Sequence, residues 1–207
     1  ARMHREAELA TIMREYAKQI LAIAGVDDRA LEDAFAAVRR EDFLGPGPWP
    51  IVRLGSPITY ETTPDADPAR LYTNDLVGLI PGRQINNGQP SFHADLIHKA
   101  APRAGEHAVH IGAGVGYYTA ILAHMVGETG RVSGIEFEPA LAARAKANFR
   151  AQANVEIIAG DGALVPFDTA NVVYVKAGAT RPADAWLDRL ADGGRLVLPL
   201  TTDNNFL

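Results

Sequence analysis

The sequence contains no cysteine, which excludes disulfide frameworks, thiolate zinc sites and cysteine nucleophiles. Positive charge is not in excess either, because 20 Lys and Arg stand against 25 Asp and Glu, for a formal net charge of -5. Such a chain has no general attraction to phosphate backbones, so we expect no nucleic-acid partner. Long apolar runs and a signal-like amino end are also absent, so we expect no membrane partner and a cytoplasmic location.

Metal-ligand patterns are missing as well. The six histidines show no H-E-x-x-H or similar spacing, so we expect no metal site. What is present is an ordinary globular composition, with 47% hydrophobic and 22% charged residues. At 207 residues the chain is long enough for one substantial core plus a small appendage, which favours one main domain.

The amino-terminal part has the apolar spacing of two amphipathic helices. The first stripe begins at Leu9, and the second begins at Leu31 after two candidate capping residues, Asp27 and Asp28. We therefore predict an N-terminal helical segment over residues 1–44.

Residues 45–90 are predicted to form a connector and loops on the substrate side. The stretch 45–57 carries prolines that cannot continue a helix, and residues 81–90 form a polar loop. Pro90 suits the first turn of a helix. The three predicted parts are thus 1–44, 45–90 and 91–207.

From Ala108 onward, apolar strands alternate with helical segments. This alternation predicts an α/β fold in which a doubly wound, mostly parallel sheet is covered by helices, with ligands at the carboxyl ends of the strands. The chain stops just after the fifth predicted strand, so the domain is expected to be cut short at its carboxyl end. The predicted strands are AVHI, RVSGIEF, NVEIIA, NVVYVKAG and RLVLPL, with a turn predicted at ADGG, residues 191–194.

A glycine-rich turn, IGAGVGYY, follows the first of these strands and precedes a helix. Gly112, Gly114 and Gly116 fill the first, third and fifth places, and Tyr117 fills the sixth. A dinucleotide dehydrogenase needs glycine at the sixth place, so the spacing departs from the hydride-transfer pattern. It is similar to the G-x-G-x-G turn of S-adenosylmethionine-dependent methyltransferases.

Two acidic residues follow the next two predicted strands. Glu136 lies about twenty residues past the glycine turn, where an acid can accept both hydroxyls of a ribose. Asp161 follows the third strand in AGDGA. Because parallel strands end at one edge of the sheet, we expect these residues to line an adenosine site together with the glycine turn.

These blocks, in this order, resemble the protein-L-isoaspartate O-methyltransferases over residues 10 to 200. The resemblance rests on VRREDFLGP, LYTNDL, IGAGVGYYTAILA, GIEFEPALAARAKANF, NVEIIAGDG and GGRLVLP. It implies a Rossmann-like methyltransferase fold with an N-terminal helical extension, S-adenosylmethionine as cofactor and carboxyl methylation in protein repair. By position, it assigns the methionine part of the cofactor to the three glycines, ribose to Glu136 and the adenine amine to Asp161 and Gly162.

The sequence departs from the family pattern at two places. His110 stands where the family usually has glutamate, two residues before the first glycine, and we keep it among the predicted cofactor contacts with Tyr117. Gly88 stands where the family has a serine that contacts the substrate carboxylate. The predicted substrate-side candidates are Asn86, Asn87, Gly88, Ser91 and His93.

Three functions remain open at this point. The first is carboxyl methylation of a protein or peptide. The second is methylation of another peptide or small-molecule acceptor. The missing serine favours this second function, and His93 could act as its base. The third is a noncatalytic nucleotide-binding protein, with a dehydrogenase as a distant fourth. The sequence sets no oligomeric state.

Overall fold

The computed structural model describes residues 2–52, 59–202 and 205–206. The chain divides into two compact units, Ala1–Asp95 and Leu96–Leu207, and the boundary falls inside one helix.

The first unit opens with helices α1 (Arg2–Ala24), α2 (Arg29–Ala37) and α3 (Glu41–Leu44). The two predicted amphipathic helices are therefore confirmed, and α3 is an addition that the sequence patterns did not predict. Asp28 caps α2, because its side chain accepts a hydrogen bond of 3.0 Å from the backbone N–H of Leu31.

A small antiparallel sheet follows in the same unit. It consists of β1 (Pro50–Val52), β2 (Glu61–Thr62), β3 (Leu76–Ile80) and β4 (Ile85–Asn86), in the order β2-β1-β3-β4. The prediction of a plain connector was therefore wrong for β1, where a proline occupies the first strand position and does not interrupt the ladder. Residues 53–58 of that predicted connector lie outside the described residues.

Helix α4 (Pro90–Ala100) begins at the proline, as predicted. The second unit then forms a five-stranded parallel sheet in the order β7-β6-β5-β8-β9. This order, with the central strand first in the chain and the others added on either side, confirms the doubly wound α/β fold. The elements are β5 (His107–Ile111), α5 (Tyr117–Val126), β6 (Arg131–Glu136), α6 (Pro139–Asn148), β7 (Val155–Ala159), β8 (Ala170–Val175), α7 (Asp184–Asp188) and β9 (Leu190–Val197).

The core of this unit surrounds the central strand. Every residue of β5 is buried, and five of the six residues of β8 are too. Burial on both faces is the pattern of a parallel sheet covered by helices, and it explains why these strands are nearly continuous apolar runs.

The last part of the sheet differs from the prediction. The turn predicted at residues 191–194 lies inside β9, where the pairing with β8 shifts register: Ala170 pairs with Leu190, but Val172 pairs with Arg195. The extra residues of β9 bulge out and Gly193 takes φ +70°, so the strand resumes without a separate turn. A short antiparallel pair, β10 (Thr201–Thr202) and β11 (Asn205–Phe206), follows.

Within the described part of the chain, no helix has both the length and the apolar character needed to cross a membrane.

Candidate functional site

The glycine turn between β5 and α5 has a backbone that only glycine adopts easily. Gly112, Gly114 and Gly116 have φ of +80°, +58° and +98°. The steric cost of these angles for other residues explains why glycine stands at alternate positions. The turn is anchored to the next strand, because the N–H of Gly112 donates to the carbonyl of Ile135 at 2.8 Å.

Close packing also requires glycine at two of these positions. A Cβ on Gly112 would lie 2.9 Å from the carbonyl oxygen of Lys176, and a Cβ on Gly116 would collide with the ring of Phe149. Other residues of the same chain thus pack closely against Gly112 and Gly116. The turn therefore presents backbone groups rather than side chains, which is the form of a nucleotide cradle at a helix amino end.

Glu136, the last residue of β6, contacts this turn directly. Glu136 as a residue is 6% exposed, and its carboxylate accepts hydrogen bonds from the N–H of Gly114 at 2.6 Å and from the N–H of Glu138 at 2.8 Å. Charged acceptors form shorter and stronger bonds than neutral ones, so Glu136 fixes the middle of the turn. The structure thus brings together two of the features that the sequence placed at one edge.

Asp161 and Gly162 lie after β7, at the same edge of the sheet. Asp161 is exposed, and its Oδ1 accepts from the N–H of Ala163 at 2.9 Å, which leaves the other carboxylate oxygen for a ligand. Gly162 packs so closely on Ile111 that a Cβ would collide with that side chain, and its carbonyl accepts from the indole N–H of Trp186 at 2.7 Å. The strand order β7-β6-β5 places all three predicted markers side by side.

His110 is fully buried inside the second unit. Its Nδ1 lies 2.8 Å from the hydroxyl of Thr119, and its ring centroid is 5.1 Å from that of Tyr174. Burial, and in second place the charge of Lys176, lower the pKa of His110 to about 3, so the imidazole is neutral at pH 7. Nε2 has no hydrogen-bond partner among the described residues.

Tyr117 is also fully buried, at the start of α5, and its ring packs edge-on against that of Tyr118 at 4.9 Å. The side chains of His110 and Tyr117 are therefore both part of the core, and direct cofactor contacts by them stay a prediction.

The substrate-side candidates belong to the first unit, with three of them at the end of β4. Asn86 accepts a hydrogen bond of 2.9 Å from the N–H of Gly88, and the N–H of Asn87 donates to Val77 at 2.8 Å. Gly88 has φ +76°, and the side chain of Asn87 is buried. The position of the family serine is thus a tight turn in a left-handed conformation.

The remaining two candidates lie in the first turn of α4. The N–H of Ser91 donates to the side-chain oxygen of Asn74 at 2.9 Å, which joins this helix to the loop before β3. His93 is 3% exposed, and its ring lies 5.7 Å from that of Phe92. The five candidates thus lie at the end of β4 and in the first turn of α4. Their roles toward an acceptor stay predictions.

Sequence reasoning missed three residues beside the cradle. Phe137 and Leu164 follow the two acidic positions closely, and their side chains are 67% and 78% exposed. Large apolar side chains in such a place can cover the faces of a base. Lys176, directly after β8, was also missed. Phe137 and Lys176 each follow a strand directly, which is the signal that could have found them, whereas Leu164 lies in the loop after β7. Searched over the described residues alone, the structure holds no group of three side chains that could bind a metal ion.

Comparison with known proteins shows the family of this chain. The sequence profile described as Protein-L-isoaspartate(D-aspartate) O-methyltransferase matches residues 16–206. The chain belongs to this family. A protein-L-isoaspartate O-methyltransferase of Ignicoccus hospitalis is 33% identical over 200 residues, which cover 93% of this chain and 83% of the relative. The resemblance inferred from the motifs is thereby confirmed.

The chain spans little more than half of some relatives in the protein-L-isoaspartate O-methyltransferase family. The family member from Thermotoga maritima is 28% identical over 194 residues, covering 91% of this chain and 55% of the relative. A solved protein-L-isoaspartate O-methyltransferase structure aligns with a TM-score of 0.66 at 27% identity, covering 91% of this chain and 55% of the other. The shared region includes both units.

Proposed function

We propose that the protein binds S-adenosylmethionine at the glycine turn and transfers its methyl group to a carboxylate of a protein or peptide. The observation that carries this proposal is the bond from Gly114 to Glu136, which joins the cradle to the predicted ribose acid in a chain of this family. A cytoplasmic setting is part of this proposal.

The residues present fit the adenosine part of this cofactor. Gly112 and Gly116 leave no side chain over the turn, and Glu136 retains lone pairs for two ribose hydroxyls after accepting two backbone bonds. Asp161 has one carboxylate oxygen for the adenine amine. We assign the exposed Phe137 to the face of the base, next to the ribose acid.

The reaction places modest demands on the protein. S-adenosylmethionine, when bound, supplies a methyl group on a sulfonium centre. A carboxylate acceptor is ionised at neutral pH, because the pKa of a side-chain carboxyl is about 4, so no residue has to remove a proton from it. The protein has to bind the acceptor, align one oxygen with the methyl group and exclude water. The lack of a recognised general base is consistent with these demands.

The acceptor is the part of the proposal where this chain departs from its family. A serine at position 88 would have to adopt the φ of +76° seen for Gly88, which costs a side chain about 1–2 kcal/mol. We assign the contacts to the acceptor to Asn86, Asn87, Ser91 and His93. A second candidate function, methylation of a different peptide or small molecule, is favoured by the same glycine.

The test uses the full-length protein, S-adenosylmethionine with a labelled methyl group, and two peptides that differ only in one isoaspartate or aspartate residue. Base-labile label on the isoaspartyl peptide alone is the expected result. Label on neither peptide, in a sample that binds the cofactor, would overturn the isoaspartyl acceptor and favour the second candidate. Failure to bind the cofactor with an intact fold would indicate a noncatalytic protein.

A further inference from the structure

Asn74, in the loop before β3, uses only the oxygen of its side-chain amide toward the described residues. That oxygen accepts a hydrogen bond of 2.9 Å from the N–H of Ser91, in the first turn of α4. Because the oxygen faces this donor, the NH2 group of the same amide faces the other way. Among the residues that the structure describes, the NH2 group has no hydrogen-bond partner, and Asn74 is half-buried.

Ser91 offers a second donor at the same place. The residue is 6% exposed, and its hydroxyl makes no hydrogen bond to any residue that the structure describes. Leaving a buried polar group without a partner is unfavourable, so a ligand that accepts from this hydroxyl would gain binding energy. Ser91 is also the second residue of an 11-residue helix, α4, whose amino end favours negative charge.

The loop that carries Asn74 is anchored by buried groups of the same unit. Arg40 is fully buried, and its guanidinium donates to the carbonyl of Leu71 and, at 3.1 Å, to the carbonyl of Thr73. Tyr72, between these two residues in the chain, is buried as well. Such anchoring reduces the conformational entropy that binding has to remove, so Asn74 is positioned before an acceptor binds.

The acid next to Asn74 in the chain is turned toward its own loop. The Oδ2 of Asp75 accepts from the hydroxyl of Thr73 at 3.1 Å, and the N–H of Asp75 donates to the same hydroxyl oxygen at 3.3 Å. The donors of Asn74 and Ser91 therefore suit an acceptor group from outside the chain. A carboxylate offers only acceptor atoms, whereas an ammonium or guanidinium group offers none.

We propose that the amide NH2 of Asn74 and the hydroxyl of Ser91 together bind a carboxylate oxygen of the methyl acceptor. This inference rests on the proposed function and deepens it, because it adds a residue that the sequence patterns did not single out. The pair takes over carboxylate recognition in a chain where Gly88 offers no hydroxyl. When one oxygen is held in this way, the second oxygen of the same carboxylate is available for the methyl group.

The test measures peptide binding by calorimetry in the full-length protein saturated with S-adenosylhomocysteine, so that no methyl transfer takes place. Two peptides with blocked ends differ only at one isoaspartyl residue, which carries either its carboxylate or the corresponding amide. The wild type should bind the carboxylate peptide about tenfold or more tightly than the amide peptide. Equal binding of the two peptides, or binding of neither, would overturn the inference.

Asn74→Asp removes the donor and keeps the acceptor. Its Oδ1 can still accept from the N–H of Ser91, but a negative oxygen replaces the NH2 group. This variant should bind the carboxylate peptide about tenfold or more weakly than wild type, with unchanged affinity for S-adenosylhomocysteine. The matched control is Asn171→Asp, because the Oδ1 of Asn171, on β8, likewise accepts one backbone N–H at 2.9 Å, from His107. The control should change neither affinity.

Ser91→Ala removes the hydroxyl and keeps the backbone N–H that Asn74 accepts. It should lower the preference for the carboxylate peptide about tenfold, and it decides the inference if Asn74→Asp does not fold. An unchanged preference in the folded variants would overturn the inference and leave the proposed function intact. Weaker binding of S-adenosylhomocysteine with an unchanged peptide preference would assign the donors to the cofactor and would also overturn it.

The proposed function can fail separately from this inference. If the wild type does not bind S-adenosylhomocysteine, the proposed function is wrong, and the same peptide comparison without that ligand still decides the role of Asn74 and Ser91. A preference for the carboxylate peptide that both substitutions remove, in a protein that transfers no label, would support the inference and overturn the proposed transfer.

Discussion

Replacing Glu136 with glutamine tests the hydrogen bonds by which this carboxylate holds the glycine turn, and its predicted contact with the ribose. The carboxylate accepts from two backbone N–H groups, at 2.6 Å from Gly114 and 2.8 Å from Glu138. An amide has one acceptor oxygen, so one of these N–H groups would face the NH2 of the new side chain. Leaving a buried donor unsatisfied costs about 1–3 kcal/mol, which for a chain of this size lowers Tm by about 2–4 °C per kcal/mol.

The same change should weaken cofactor binding, because ribose hydroxyls donate more strongly to a carboxylate than to an amide. We expect S-adenosylhomocysteine to bind Glu136→Gln about tenfold or more weakly than wild type, measured by calorimetry. The matched control is Glu156→Gln, an exposed glutamate on the neighbouring strand β7, which should change neither Tm nor affinity. Wild-type affinity in a folded Glu136→Gln protein would show that the Glu136 carboxylate does not bind the ribose.

Three further changes test the packing and the ionisation of the second unit. Gly116→Ala should lower Tm by several degrees, because a Cβ at φ +98° collides with the ring of Phe149; an unchanged melting curve would contradict this. Glu106 accepts from the Arg195 guanidinium at 2.9 and 2.7 Å, which holds the pKa of that carboxyl below its usual value. The stability that this ion pair contributes is present above about pH 4.3, and it is lost as the pH falls through the lower pKa of the folded protein. The difference in Tm between wild type and Glu106→Gln should therefore become smaller in acid. A difference in Tm that does not change with pH would contradict the pairing. Because the pKa of His110 is lowered to about 3, the wild type should lose stability as the pH falls from 6.5 toward 3. His110→Gln should lose less, when the free energy of unfolding in urea is measured against pH. Equal slopes of the unfolding free energy against pH in the two proteins would show that His110 does not titrate there.

The sequence was sufficient for the elements whose signals are local. Pro90 marked the start of α4 and Asp28 marked the cap of α2, because both act on backbone groups within a few residues. The five parallel strands were also predicted, and in β5 and β8 burial on both faces leaves apolar runs that stand out from their surroundings.

The elements that were missed depend on distant partners. Strands β1 and β3 are short, and they exist because Ile51 pairs with Val77 and Val52 with Leu76, across a separation that no local pattern encodes. The bulge in β9 has the same origin, because the glycines of ADGG have the composition of a turn while the ladder with β8 continues past them.

The candidate site divides in the same way. Spacing predicted that Glu136 and the glycine turn would share one edge, because parallel topology alone brings strand ends together. The bond from Gly114 to Glu136 and the bond from Ser91 to Asn74 join residues far apart in sequence, so they became visible only in the structure.

We propose that the glycine turn together with Glu136 forms a site for S-adenosylmethionine. The most direct test is a calorimetric titration of the full-length protein with S-adenosylhomocysteine, beside a parallel titration with NAD. We expect saturable binding of one S-adenosylhomocysteine per chain and no heat of binding with NAD. No binding of S-adenosylhomocysteine by the folded protein, or binding of NAD in its place, would contradict the assignment of this turn to S-adenosylmethionine.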